Sequence, residues 1–310
     1  MALDETAAGV YAIAVTPFTD DGAIDFASVD RMVDWYRARG VSGLTILGMM
    51  GEAPKIETSE AIAFAKAVIA RADGLPIVVG VSAPGFAAMG ALATSVMDAG
   101  AAGVMIAPPA AMRTDDQLTN YYAQCVTAIG ETTPFVIQDY PLSSGVIMPV
   151  GVIKRIVDAH ASCVMLKHED WPGLEKISAL RALSEAGEMK RISILTGNGG
   201  LFLDFEMERG ADGAMTGYAF PDMLADIIAA QNRGDRDAAH DLFDAHLPLL
   251  RYEQQPGLGL AVRKYILKLR GAIASDAQRT PASKMTAAAK QEVDYLLARV
   301  AKHDPRANLA

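Results

Sequence analysis

Lys167 ends the apolar run Cys163-Val164-Met165-Leu166, where a buried strand would carry a lone amine into a pocket. An ammonium in water is a poor nucleophile, but burial disfavours its charge and can bring an amine pKa from about 10.4 towards about 7. The neutral amine then attacks a ketone and forms a Schiff base. A lysine just outside the strand, snorkelling to solvent, is the other reading of this segment. Glu169 lies two residues on and shares the face of Lys167 if the chain stays extended, as a general base or as an ionic partner. The second role would oppose activation of the amine. His168 alternates to the opposite side, towards solvent or behind the site.

A strand is needed to present that lysine, and the chain carries eight candidates. Short β-type runs at Val10 to Thr16, Leu44 to Leu47, Ile77 to Val81, Val104 to Ala107, Phe135 to Asp139, Cys163 to Lys167, Ile192 to Thr196 and Ala214 to Thr216 alternate with segments of helix length such as Ser28 to Arg39, Ser59 to Ala72 and Asp116 to Ile129. Strict alternation of this kind predicts an α/β fold, a (β/α)8 TIM barrel, with a doubly wound sheet as the alternative. Three similar turns, Gly40 to Gly43, Gly100 to Gly103 and Gly210 to Gly213, each close a helix and open a strand, and the first glycine of each suits a helix end with positive φ. After the last run the sequence reads as helical, with Val293, Leu296, Leu297 and Val300 at helical spacing. The expected division is a barrel over residues 1–232 and an appended C-terminal helical region over 233–310, packed on the barrel.

Composition narrows the function classes. With 310 residues, 51% of them apolar, the chain can bury a full core, and a net charge of −9 argues against nucleic acid or an anionic membrane surface as partner. Cys125 and Cys163 are the two cysteines, each in apolar surroundings, so buried free thiols and a reducing compartment are expected. Residues Met1 to Gly9 lack an apolar leader, and no stretch approaches the roughly 20 apolar residues that span a bilayer, so the expected location is the cytoplasm. No phosphate-binding Gly-x-x-x-x-Gly-Lys motif occurs, and none of the five histidines forms a His-x-His or His-x-x-x-His pair. His240 and His246 read as ordinary helix residues. No metal and no cofactor are expected, because a Schiff-base iminium is its own electron sink.

In a parallel barrel the chemistry sits at the C-terminal ends of the strands. Those ends read Thr16-Pro17-Phe18, Gly48-Met49-Met50-Gly51-Glu52, Gln138-Asp139-Tyr140-Pro141, Lys167-His168-Glu169-Asp170, Gly197-Asn198-Gly199-Gly200 and Thr216-Gly217-Tyr218, with Ser82 and Pro108-Pro109 at the remaining two. The order Thr16-Pro17-Phe18 with Asp21-Gly22 and Ile24-Asp25, then Gly48-x-x-Gly51-Glu52, Pro141, Lys167 and Gly197, resembles the dihydrodipicolinate synthase and N-acetylneuraminate lyase superfamily from about residue 8 to the C-terminal helices. The resemblance implies a class I aldolase-type barrel in which Lys167 forms an imine with pyruvate or another 2-oxo acid, in a homodimer or homotetramer. The chain departs from the pattern at several positions. Met49 and Met50 stand where the family usually has a hydroxyl pair, Gln138 where it has an acid/base tyrosine, Ala110 where the synthases place a relay tyrosine, and Ser143 where they use an arginine.

These departures ask what replaces the relay. Tyr140 shares a face with Gln138 if the strand stays extended, and its phenol either reaches the imine or packs at the barrel rim. The Gln138 amide can donate to a substrate carbonyl or carboxylate. Met49 and Met50 would make the pocket greasy and adaptable, leaving a substrate carboxylate to backbone amides near Met50 and Gly51. Gly197 and Asn198 form either a tight turn or a close backbone approach to substrate; Phe202 breaks any dinucleotide fingerprint there. Glu52 reads as a helix-start carboxylate that bonds local amides.

The expected function is therefore a Schiff-base lyase, aldolase or dehydratase, acting on a small-molecule 2-oxo acid of the 2-keto-3-deoxy sugar acid kind. Lys167, Tyr140 and Gln138 would be catalytic, and Thr16, Met49, Met50, Gly51, Glu169, Gly197, Asn198 and Thr216 would bind substrate. Two alternatives stand beside it: condensation of pyruvate with aspartate semialdehyde, and a non-catalytic 2-oxo-acid-binding regulator. A charged lysine kept at a strand end without chemistry carries a desolvation cost, which weighs against the regulator.

Overall fold

The structure, a computed structural model, describes residues 2–171 and 173–309. Each apolar run becomes a strand: β1 Gly9–Ile13, β2 Gly43–Ile46, β3 Ile77–Gly80, β4 Gly103–Ile106, β5 Phe135–Asp139, β6 Cys163–His168, β7 Ser193–Thr196 and β8 Gly213–Ala214. Every neighbouring pair is parallel and β8 pairs with β1, so the sheet closes into a (β/α)8 TIM barrel and the doubly wound alternative falls. The first and last strands stop short of Thr16 and Thr216, where the ladder loosens into the loops that carry the site.

The connecting helices are α1 Phe26–Arg37, α2 Thr58–Arg71, α3 Phe86–Asp98, α4 Asp115–Ile129, α5 Pro141–Ser144, α6 Val150–Ala159, α7 Leu174–Glu185, α8 Leu203–Glu208 and α9 Pro221–Asn232. Capping sets their starts: the Asp25 carboxylate accepts from the Ser28 amide, which begins α1 two residues before the periodic pattern does. Gly40, Gly100 and Gly210 take φ of 70°, 101° and 95°, the left-handed turn that ends each preceding helix. Three further helices follow, α10 Arg236–Glu253, α11 Gly259–Leu269 and α12 Ala287–Val300.

Alternation divides each strand between two cores. Tyr11, Ile13, Val78, Met105, Val136, Met165, Leu195 and Met215 fill the barrel interior, while Ala12, Ile46, Ile137, Leu166 and Ile194 face the helices. In β6 the inward Met165 is followed by outward Leu166, so Lys167 and Glu169 continue inward at the C-terminal rim. His168 continues outward, but not to solvent: it is fully buried beneath the start of α7, with Nε2 3.1 Å from the Gly173 carbonyl. Burial on both faces of a barrel strand leaves no solvent side for the alternate residue to reach.

Glu52 overturns its helix-start reading. It sits at φ 58° between two short 3-10 turns and caps no amide of its own turn with its side chain. Its carboxylate instead pairs with Lys264 Nζ at 2.6 Å and Lys55 Nζ at 2.9 Å, and accepts from the Arg279 amide at 3.1 Å, tying α11 to the β2 loop. Burial pushes the Lys264 ammonium down to about 8. The reason is tertiary: Lys264, 212 residues away, joins the neighbouring Lys55 and outcompetes local amides for the charge. Glu52→Gln leaves Lys264 buried without its counter-charge and is expected to lower unfolding free energy by about 3–5 kcal/mol. Urea unfolding measures it, and a loss below about 1 kcal/mol would count against the cluster as an anchor.

His246 is likewise more than an ordinary helix residue. It is fully buried on α10 between the Tyr218 hydroxyl at 2.9 Å and Asp304 at 2.8 Å, joining the barrel rim to the C-terminal turn. His240 sits between Asp204 and Glu208, each 3.0 Å away, and ties α10 to α8.

Candidate active site

At the C-terminal rim of the barrel, a cavity of about 90 Å³ is lined by Ile13, Met49, Met50, Gln138, Tyr140, Lys167, Glu169, Asn198, Gly199, Thr216, Gly217, Gln254 and Arg263. At roughly 10–15 Å³ per water-sized group, it holds about six to nine such groups, the scale of a short-chain acid. Lys167 is 5% exposed and opens into this cavity, so the snorkelling reading is set aside.

Glu169 organises the centre. Its Oε2 lies 3.1 Å from Lys167 Nζ and accepts from Gln138 Nε2 at 2.8 Å. One strand supplies both the amine and the carboxylate by period-two alternation, and β5 supplies the amide because Gln138 is in register with Lys167. The Gln138 donor expected to meet substrate therefore already holds Glu169, leaving its second N–H and its carbonyl oxygen. Gly197 makes room for this arrangement: a Cβ there would sit 2.3 Å from Glu169 Cγ. Asn198 donates from Nδ2 to the Glu169 carbonyl at 2.9 Å and so fixes the end of β6.

Tyr140 lies just beyond β5 and faces the cavity. Burial, reinforced by the Glu169 charge, pushes its phenol pKa up. It holds its proton at neutral pH and can donate it.

Three expected substrate contacts do not line the cavity. Thr16 is buried and donates from Oγ1 to the Gly51 carbonyl at 2.6 Å, holding the turn that presents Met49 and Met50. Gly51 spends its amide on the Gly48 carbonyl at 3.0 Å. Gly197 lies under Glu169. Each sits behind a residue that does line the cavity, because a tight turn at a strand end exposes only part of its length. Met49, Met50, Asn198 and Thr216 do reach it.

Two of the lining residues that sequence reasoning missed come from the C-terminal helical region, beside Ile13, Gly199 and Gly217 of the barrel. Gln254 follows α10, and Arg263 projects from α11. Arg263 is 2% exposed; its Nε donates to Glu253 Oε1 at 2.6 Å, and its Nη1 has no acceptor among the described residues. One signal was available: a basic residue four positions before Leu267 and three after Leu260, on the apolar face of a helix.

Behind Asn198, Glu206 of α8 lines a smaller cavity with Asp170, Trp171 and Phe202. Burial pushes its carboxyl up to about 8, and its Oε2 has no partner among the described residues. The folded protein holds a proton that the unfolded chain releases near pH 4.5, so stability is full below about 4.5 and is lost as pH rises through about 8. Glu206→Gln is expected to flatten that fall. Urea midpoints at pH 5 and pH 8.5 measure it; an equal drop in variant and parent would rule it out.

No cluster of three His, Cys, Asp or Glu side chains suited to a metal ion occurs among the described residues. Nor is any described helix long and apolar enough to cross a membrane. Both cysteines are buried free thiols, held protonated by burial.

Comparison with known proteins places this geometry in context. The sequence profile of the Dihydrodipicolinate synthetase family matches residues 6–300. L-2-keto-3-deoxyarabonate dehydratase of Azospirillum brasilense is 30% identical over 278 residues, covering 88% of each chain. The 4-hydroxy-tetrahydrodipicolinate synthase of Bifidobacterium longum is 26% identical over 86% of each chain. A solved structure described as dihydrodipicolinate synthase from Rhodopseudomonas palustris superposes with a TM-score of 0.96 at 60% identity, covering 96% of this chain and 99% of that one.

Proposed function

The chain belongs to the dihydrodipicolinate synthetase family, and from that premise we propose that it is a Schiff-base lyase that dehydrates a short 2-keto-3-deoxy sugar acid. One observation carries the choice of dehydration: a carboxylate oxygen of Glu169 lies 3.1 Å from the Lys167 amine, within reach of the carbon next to an imine formed there.

The steps follow from that placement. Lys167 gives its proton to Glu169 and attacks the C2 ketone; Glu169 returns that proton to the carbinolamine hydroxyl, which leaves as water, so that an iminium and a free Glu169 carboxylate result. The iminium acidifies C3–H, and a carboxylate beside the imine nitrogen takes the C3 proton, leaving an enamine. The enamine pair expels the C4 hydroxyl as water, with Tyr140 supplying the proton, and hydrolysis of the unsaturated imine returns Lys167. Carbon–carbon cleavage would instead need a base at the C4 hydroxyl, and a phenol whose pKa is raised serves poorly as one. Gln138 holds Glu169 at the amine, and Met50 and Thr216 close the sides of the cavity.

A second reading, condensation of pyruvate with aspartate semialdehyde, is favoured by the likeness to the Rhodopseudomonas palustris protein. Incubation with a panel of 2-keto-3-deoxy pentonates and hexonates, followed by mass analysis, separates the readings. Loss of 18 mass units without release of pyruvate is expected for dehydration. Release of pyruvate would establish an aldolase, and condensation activity alone would overturn the dehydratase. Assembly as a homodimer or homotetramer belongs to the same reading, supported by the exposed apolar Leu142 and Ile147 near the barrel mouth.

A further inference from the structure

The cavity holds two cationic side chains, and only one is used by Schiff-base chemistry. Lys167 is paired with Glu169, and both Gln138 and Asn198 already donate to Glu169. Arg263 is different. Its inner edge is fixed by Glu253, while Nη1, buried and without a protein acceptor among the described residues, lies against Gly217, which lines the cavity together with Arg263. An unpaired buried guanidinium edge is costly to keep unless something else completes it. The backbone opposite is shaped to admit it: a Cβ on Gly217 would stand 2.0 Å from Nη1.

The other walls offer an anion neutral donors, on Tyr140, Thr216, Gln254, the second Gln138 N–H and the Met50 amide; Met49, Met50 and Ile13 have no side-chain donor, and the Gly51 amide is committed to Gly48. The geometry points to Arg263 as the group that binds the substrate's carboxylate, reaching the barrel rim from α11 with Glu253 holding it and Gly217 making space. This assignment rests on the 2-oxo-acid reading and deepens it by naming what holds the acid. A planar fork suits a carboxylate better than an ammonium does, because two parallel N–H groups meet two oxygens. The Glu253 pair also prevents the guanidinium from swinging to close on Glu169 instead.

The test separates acid recognition from imine formation. Lactate has the carboxylate of pyruvate but no carbonyl to attack, and methyl pyruvate has the carbonyl without the charge. Lactate binding is measured by calorimetry, and borohydride trapping on Lys167 is titrated with pyruvate and with methyl pyruvate. Two variants are compared: Arg263→Met combined with Glu253→Gln, which removes the buried pair as a unit, and Gly217→Ala, which displaces the guanidinium and leaves both charges in place. In each, lactate affinity should fall and the half-saturating pyruvate concentration should rise by about 10- to 100-fold, with methyl pyruvate within about twofold. Unchanged lactate binding in folded Gly217→Ala protein, or equal shifts for pyruvate and its ester, would overturn the assignment. Absence of any trapped adduct with intact, Arg263-dependent lactate binding would remove the lyase reading and keep this one.

Discussion

Lys167→Ala is expected to abolish borohydride-trapped adduct with any 2-oxo acid and to lower turnover by at least about 10⁴-fold. The magnitude follows from the role. Among the described residues no other amine lines the cavity, and a guanidinium such as that of Arg263 is no nucleophile. Loss of the imine removes the electron sink on which C3 deprotonation depends, so the later steps fail with the first. The substitution leaves the buried Glu169 carboxylate without its counter-charge, at a cost of about 3–5 kcal/mol of stability, while Gln138 still donates to it. Adduct mass on the Lys167 peptide, with circular dichroism of the variant, is the measurement. Persistent turnover in folded protein would show that the imine is not the route.

Glu169→Gln is the second large effect, with turnover expected to fall by about 10²–10⁴-fold, the range for a positioned acid or base. Glutamine keeps the shape that fits under Gly197 and can still contact Gln138 and Lys167, so packing changes little. What disappears is the proton acceptor. With the carboxylate absent, single-turnover measurements should show slowed exchange of the C3 protons of bound substrate with deuterated solvent. An unaltered exchange rate would reassign the base to another group. Product partitioning under the same conditions adds a check, since a residue acting at C3 affects dehydration and enamine protonation together.

The alternation around Lys167 was legible before any tertiary information. Outward Leu166 and inward Met165 set the phase of β6, and that phase alone puts Lys167 and Glu169 on one face. Gln138 and Tyr140 follow from the same period in the neighbouring strand. Glu52 and Thr16 were harder, because a polar residue at a strand end has the same local sequence context whether it turns to the pocket or braces the loop. Each braces a loop here: Thr16 through the Gly51 carbonyl, and Glu52 through lysines up to 212 residues away. His168 shows the limit of alternation itself, which gives a side but not what lies there.

What the sequence alone determined is the set of strands, their order and the shared face of Lys167 and Glu169, because these depend on apolar runs and on a two-residue period carried by adjacent residues. Tertiary structure decided which groups meet across the rim. Closure of the barrel brings Gln138 onto a carboxylate 31 residues away, and packing of α11 on that rim brings Arg263 in beside them. Neither meeting is encoded by local spacing. The first depends on the register of β5 against β6, and the second on the angle at which α11 settles on the barrel, fixed by the Glu52–Lys264 and Glu253–Arg263 pairs and the apolar face around them.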